Sequence, residues 1–213
     1  VWIGGIPDYG CPHGGLACYD TLRKKLTLHG KVIPNQSIMA LTADETGAIL
    51  YGGTTIGRGG GLEAMTKEAN LFAWDTRRSK VLWKQVPIPG ITTVLNLLCR
   101  DGKLYGSTGN NYSFFRFDLK SRTLDYNVPS EISAIREQSL GWGPDGNLYG
   151  ITWMSLFRWH PETGKIEVLY RCVGDDAKKF EGGSLFHRGA VIINGRVYFS
   201  CGTHVMSLRL PPA

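Results

Sequence analysis

Pro144-Asp145-Gly146-Asn147-Leu148-Tyr149-Gly150-Ile151-Thr152, followed by Leu156-Phe157-Arg158-Trp159-His160, is the stretch that decides the fold of this chain. The Asp-Gly pair favours a tight turn, because glycine, and to a lesser degree aspartate, tolerates a positive φ. The apolar and aromatic residues that follow it are typical of β-strands. The segment therefore predicts a turn, a strand, a short connection and a second strand.

The same pattern recurs along the chain at intervals of roughly 42 to 55 residues, which is the period range of β-propeller blades. The first strand recurs as Leu50-Tyr51-Gly52-Gly53-Thr54 and Leu104-Tyr105-Gly106-Ser107-Thr108. The second recurs as Leu71-Phe72-Ala73-Trp74-Asp75 and Phe114-Phe115-Arg116-Phe117-Asp118. One such hairpin cannot bury its own apolar face, whereas sheets stacked around an axis can.

We therefore predict an all-β fold, a β-propeller of four-stranded antiparallel blades with about four to five blades present. Residues 1–213 form a single propeller portion, with blades near 1–35, 36–90, 91–130, 131–175 and 176–213. The first blade lacks its inner strand and the last lacks its outer strand. We interpret the chain as the C-terminal part of a larger propeller of about six to eight blades. A five-bladed ring that is two strands short is the alternative.

Composition narrows the classes of partner. The net charge of +6 permits an acidic ligand. The basic residues are scattered, as in Arg23-Lys24-Lys25 and Arg77-Arg78, rather than forming one stripe, which argues against nucleic acid. The sequence contains no run of eighteen apolar residues, so it predicts no membrane-spanning helix. The five cysteines form no Cys-x-x-Cys pair and the five histidines show no ligand spacing, so we predict no metal site. We predict no other cofactor, and a bond between Cys11 and Cys18 stays open.

The loops that join second to third strands, and those that join successive blades, leave a propeller on the same face, which we call the loop face. The long and variable loops of this chain lie there, and such loops often carry function. The predicted ligand-binding residues are Arg58, Gln36, Gln138, Tyr112, Trp153 and Lys67. The predicted catalytic residues are His187, Arg188, His13 and Tyr9.

The Asp-Gly-x-Leu-Tyr-Gly strand followed by Leu-Phe-x-Trp-Asp resembles the repeat of streptogramin-lyase, NHL and gluconolactonase-type propellers. The resemblance covers essentially the whole chain, but it consists of strand and turn residues. Propellers of this general kind include polysaccharide lyases that act on ulvan or oligogalacturonate. No lyase motif matches this chain residue by residue, so the resemblance implies a fold and no catalytic residue.

Three functions fit this reading. The first is a propeller that binds carbohydrate through the loop face. The second is a polysaccharide lyase-type enzyme acting on an acidic glycan, in which Arg58 or Arg188 neutralises a uronate carboxylate and His187, His13 or Tyr9 takes the α-proton. The third is a protein-interaction scaffold. The expected partners are carbohydrate or another anionic ligand, and missing blades or a second chain, but neither nucleic acid nor a membrane.

Overall fold

The computed structural model describes residues 1–7, 10–11, 13–57, 62–132, 135–171, 186, 189–201 and 204–212. These residues form β-strands and no helix. The strands are β1 (Trp2–Gly4), β2 (Leu16–Asp20), β3 (Lys25–Gly30), β4 (Ser37–Ala43), β5 (Ile49–Thr55), β6 (Leu71–Asp75), β7 (Lys80–Gln85), β8 (Val94–Arg100), β9 (Lys103–Thr108), β10 (Ser113–Asp118), β11 (Thr123–Pro129), β12 (Ile135–Trp142), β13 (Leu148–Thr152), β14 (Ser155–Trp159), β15 (Ile166–Arg171), β16 (Val191–Ile193), β17 (Arg196–Cys201) and β18 (His204–Arg209).

The strands pair in chain order into five sheets, which we number as blades from first to fifth. The second, third and fourth blades have four strands each: β4 to β7, β8 to β11, and β12 to β15. The first blade (β1 to β3) and the fifth (β16 to β18) have three each among the described residues. The predicted all-β propeller of antiparallel blades is thus confirmed.

The chain divides into two compact units. The first unit comprises residues 1–111 and 116–125, and the second comprises 112–115 and 126–213. The first and second blades lie wholly in the first unit, and the fourth and fifth wholly in the second. Strands β10 and β11 of the third blade contribute residues to both.

In the first unit, aromatic side chains of each outer strand pack on the next blade. His29 of β3 lies edge-on to Trp74 of β6, with ring centroids 5.3 Å apart. Trp83 of β7 stacks on Phe117 of β10 at 6.1 Å. Phe72, which is fully buried, joins Trp74 in the apolar core of this unit. In this unit, outer strands as well as inner strands therefore hold neighbouring blades together.

In the second unit, the core joins the fourth and fifth blades. Tyr149 and Ile151 of β13 pack with Val197 and Phe199 of β17, and all four are buried. Since burying such side chains is the main favourable term in folding, this contact holds the two blades together.

The repeated Tyr-Gly and Leu-Phe pairs have a packing cause. Gly52 of β5 lies directly opposite Phe72 of β6, and a Cβ at Gly52 would meet the Phe72 ring at 2.1 Å. Gly150 lies opposite Phe157, where a Cβ would meet the ring at 2.4 Å. Because glycine has no side chain, the phenylalanine ring of the neighbouring strand can occupy the space opposite it.

Candidate functional site

The long loop of the second blade is anchored by Gln36, just before β4. Its amide nitrogen donates to the Glu68 carbonyl at 2.8 Å and to Thr66 Oγ1 at 3.1 Å. Its amide oxygen accepts from Thr54 Oγ1 and, at 3.0 Å, from Asn70 Nδ2. The side chain is 4% exposed, and its hydrogen-bonding groups are all engaged within the protein. We therefore assign Gln36 a positioning role for the loop that precedes Asn70.

This loop does not form the turn of helix that the composition of Leu62–Asn70 suggests. The described residues 65–68 form bends, and the backbone beyond them bonds to other elements. Ala69 N donates to the Ile91 carbonyl at 2.8 Å, and Thr54 N donates to the Asn70 carbonyl at 3.0 Å. Backbone groups bonded to neighbouring strands cannot form the i to i−4 bonds of a helix.

The loop is also tied to the third blade. The Glu68 carboxylate accepts from Gly90 N at 2.7 Å. The Asn110 side chain donates to the Gly90 carbonyl at 3.1 Å and accepts from Thr92 N at 3.0 Å. The loop face of the first unit is therefore a hydrogen-bonded surface with defined positions for its side chains.

In the second unit, the loop face carries an exposed tryptophan with a cation over it. Trp153, between β13 and β14, is 47% exposed. The guanidinium of Arg136 lies 5.0 Å from the centroid of its ring, within the range of a cation–π contact. Strand β12 is irregular between Ile135 and Leu140, and this bulge contains Arg136 and the exposed Gln138. Bulges often re-aim side chains next to functional sites.

The backbone at Trp153 and Gln138 is fixed by the segment that precedes β16. Phe186 N donates to the Trp153 carbonyl at 3.0 Å, and Ala190 N donates to the Gln138 carbonyl at 3.2 Å. The backbones of Trp153 and Gln138 are thus both bonded to this segment, and the Arg136 guanidinium lies over the Trp153 ring. We call Arg136, Gln138 and Trp153 the Trp153 cluster.

The other predicted site residues are distributed as follows. His13 is half-buried in the first loop, Lys67 is exposed in the loop of the second blade, and Tyr112 is half-buried in that of the third. The Tyr112 carbonyl accepts from Ser130 N at 3.0 Å. Arg58, Tyr9, His187 and Arg188 lie outside the described residues. Of the predicted set, Trp153 and Gln138 are thus the two whose backbone carbonyls accept from the described residues before β16, Phe186 and Ala190.

Sequence reasoning missed Arg136 and the threonines that end the second strands. Thr54, Thr108 and Thr152 are all buried, and the hydroxyl of each bonds within the adjoining loop. A threonine follows each Tyr-Gly-x segment in the sequence, and this recurrence could have predicted that these hydroxyls hold the adjoining loops. Arg136 had no such signal, because its contact with Trp153 depends on the bulge.

Two cavities of the second unit lie away from these residues. One of about 660 Å³ is lined mainly by apolar groups, among them Leu156, Leu208 and Pro211. Another of about 460 Å³ is lined by Asp145, His160 and other turn residues. Neither contains a predicted site residue, so their size alone does not make them the site.

Cys11 and Cys18 are free thiols, so no disulfide joins them. Burial raises the pKa of the Cys99 thiol to about 12, which makes it a poor nucleophile at neutral pH. Within the described ranges, no three His, Cys, Asp or Glu side chains form a group that could hold a metal ion. The described residues also contain no helix able to span a membrane.

No family model and no curated protein sequence matches the chain. Solved structures do. The chain is similar to a Lactobacillus plantarum protein of known crystal structure, with a TM-score of 0.67 and 15% identity over 98% of this chain and 62% of that one. It is also similar to a chain of the mitotic checkpoint complex, with a TM-score of 0.61 and 10% identity over 93% of this chain and 56% of that one.

These likenesses support the fold alone, because identities this low carry no function. At that level, the resemblance to streptogramin-lyase, NHL and gluconolactonase-type propellers is confirmed. The chain spans about three fifths of the length of the solved structures it matches.

Proposed function

We propose that this protein is a ligand-binding β-propeller whose loop face binds carbohydrate at the Trp153 cluster. The observation that carries the proposal is the half-exposed indole of Trp153 beside the guanidinium of Arg136. A sugar ring offers an apolar C–H face to an aromatic ring, and its hydroxyls need donors and acceptors nearby. An aromatic surface with a few fixed polar groups meets both needs.

The charge of the cluster favours an acidic sugar. Arg136 is a permanent cation with a planar fork of donors that matches a carboxylate. Its side chain is 16% exposed, and the Glu137 carboxylate at 3.7 Å both orients the guanidinium and offsets part of its charge, so the donors of Arg136, more than a net positive charge, would recognise the acidic group. A preoriented donor loses less conformational entropy on binding.

The test is binding of oligogalacturonate, measured by isothermal titration calorimetry. Trp153→Ala should weaken binding by about tenfold, the effect of losing one aromatic contact of about 1–1.5 kcal/mol. Met154→Ala, at the neighbouring residue and 44% exposed, is the matched control and should bind as the parent does. Unchanged binding by the Trp153 variant, with a native circular dichroism spectrum, would contradict the proposal.

A lyase-type activity is the alternative for the same loop face. It would need a base and a carboxylate-neutralising cation within hydrogen-bond reach of one sugar. The residues predicted for those roles, His187 and Arg188 above all, lie outside the described residues. An assay that detects unsaturated uronate product by its absorbance would distinguish catalysis from binding.

A protein-interaction role is supported by a different observation. One face of the first blade exposes Ile3 and Leu28, and one face of the fifth exposes Val191 and Val205, each by 47% or more. Apolar sheet faces of this kind commonly mark contacts with other protein.

A further inference from the structure

The outer turns of the first three blades carry a repeated set of basic side chains. These turns span residues 20–25, 75–80 and 118–123. Each begins with the aspartate that ends β2, β6 or β10. All of the basic residues in these turns are exposed. They are Arg23, Lys24, Lys25, Arg77, Arg78, Lys80, Lys120 and Arg122, and we call them the basic rim.

Hydrogen bonds show that the turns of the second and third blades lie at the same end of the first unit. Thr76 Oγ1 donates to the Ala48 carbonyl at 2.9 Å, which joins the outer and inner turns of the second blade. Asp101 N donates to Glu45 Oε1 at 3.1 Å, which joins the inner turns of the two blades. Leu119 N then donates to the Gly102 carbonyl at 3.1 Å within the third blade.

The turn of the first blade lies at this end as well. At the opposite end, Gly4 packs so closely on Ile38 that a Cβ there would meet the Ile38 side chain at 2.6 Å. Strand β1 therefore ends where β4 begins, and the turn after β2 is at the other end of the sheet. Basic residues that are scattered in the sequence thus lie in a row of three turns along one end of the unit.

The aspartates of the turns do not neutralise the row. Asp75 Oδ1 accepts the backbone N–H groups of Arg77 and Arg78, at 3.0 and 2.8 Å. Asp20 and Asp118 bind the equivalent N–H groups of their own turns. Of the rim, Arg23 and Arg78 form ion pairs with these aspartates. Six members form no ion pair with a described residue: Lys24, Lys25, Arg77, Lys80, Lys120 and Arg122, whose guanidinium instead lies 5.6 Å from the centroid of the Trp83 ring.

We propose that the basic rim binds an acidic polysaccharide that passes from blade to blade. Separate clusters of long, exposed cations suit a polymer with an anionic group on each repeat, because each cluster can pair with its own group. The inner turns at this end carry Asp44, Glu45 and Asp101. A polyanion would therefore follow the rim and avoid the inner turns.

Other polyanions fit this surface less well. Sites for single-stranded nucleic acid combine a basic groove with exposed aromatic side chains on which bases stack. The three outer turns contain no aromatic residue, and Trp83 of β7, which lies 5.6 Å from the Arg122 guanidinium, is half-buried. Membrane-binding surfaces add apolar residues to the basic ones. Of the three outer turns, the first exposes one apolar side chain, Leu22 at 94%, whereas the second has none and Leu119 of the third is half-buried, so apolar residues do not accompany the cations along the rim. The rim belongs to the first unit and Trp153 to the second, so this proposal does not rest on the function proposed above.

The experiment compares two charge-reversal variants of the full chain. The rim variant is Lys25→Glu with Arg77→Glu and Lys120→Glu. The control is Lys31→Glu with Lys84→Glu and Arg171→Glu, which are exposed residues outside the outer turns. Both lower the formal net charge from +6 to zero. Binding to immobilised heparin and to polygalacturonate is measured by surface plasmon resonance as a function of salt.

The rim variant should bind heparin or polygalacturonate at least about tenfold more weakly at low salt, with a flatter dependence on salt, because fewer counterions are exchanged. The control variant should stay within about threefold of the parent, since isolated surface charges act weakly. Equal losses in both variants would mean that net charge alone attracts the polymer, and would overturn the proposal. Duplex DNA bound as tightly as the polysaccharides, with the same loss in the rim variant, would also overturn it. If the rim variant fails to fold, Lys25→Gln with Arg77→Gln and Lys120→Gln takes its place.

Discussion

At the scale of the residue, Gln36 shows how a polar side chain at a binding face can serve the fold. Its amide joins the start of β4 to Thr54 and to the backbone of Glu68. These partners lie 18 and 32 residues further along the chain. Removing such a side chain leaves several buried partners without hydrogen bonds, which costs more than the net energy of the bonds themselves.

We therefore expect Gln36→Leu to lower the free energy of unfolding by about 2–3 kcal/mol. Urea denaturation followed by circular dichroism measures this. Gln85→Leu is the control: Gln85 donates one hydrogen bond, to the Arg122 carbonyl at 3.1 Å on the surface, and its loss should cost less than about 1 kcal/mol. If the two variants had the same free energy of unfolding, Gln36 would not be the residue that holds the loop in place.

The sequence located Gln36 on the loop face but could not give its role. The position follows from the repeat, because inner strands begin at that face. The role depends on where Glu68 and Asn70 come to lie, and the loop that carries them has no periodic pattern. Trp153 was predicted for a different reason, as a loop aromatic that could stack on a sugar ring. Its contact with Arg136 was not, because a bulge in β12 changes the register by an amount that no repeat specifies.

At the scale of the element, the outer turns were the most predictable part of the chain. An aspartate at the end of the third strand can bond the N–H groups that follow it, and this favours a turn. Asp118 also accepts a hydrogen bond from a side chain: Lys103 Nζ donates to its Oδ2 at 3.0 Å. The backbone N–H of Ser121, with the ammonium of Lys103 as the next contribution, holds the pKa of Asp118 well below its usual 3.8.

This shift predicts how stability depends on pH. A carboxyl group with a lowered pKa in the folded protein stabilises it at pH values above the usual pKa, and that contribution is lost as pH falls below about 3.8. Asp118→Asn keeps an acceptor oxygen for the turn but loses the charge. We expect its melting temperature to be lower than that of the parent at pH 7, and the difference to shrink as pH falls below 4. Melting curves that stay equally far apart from pH 7 to pH 2 would show that the charge of Asp118 contributes nothing.

At the scale of the whole molecule, the terminal blades each have one buried and one exposed face. In the fifth blade, Val197 is fully buried against the fourth, whereas Val191 is 57% and Val205 79% exposed on the other side. In the first, Trp2 packs towards Trp74, whereas Ile3 and Leu28 share the exposed side. Between blades of one chain, faces of this composition are covered by the next sheet. The sequence predicted these blades, but the exposure of a face depends on its neighbours.

Expressed alone, the 213 residues should therefore associate with a second copy of themselves through these two exposed faces. Burial of apolar surface drives such association, and charged residues on a face oppose it. Leu28→Lys combined with Val205→Lys should shift sedimentation velocity profiles towards monomer at every concentration. Leu82→Lys is the matched control, because Leu82 is 43% exposed on the outer strand of the complete second blade, and its profile should follow the parent's. A parent chain that sediments as a monomer up to the highest soluble concentration would exclude self-association through these faces, and would leave the carbohydrate surfaces as the basis of function.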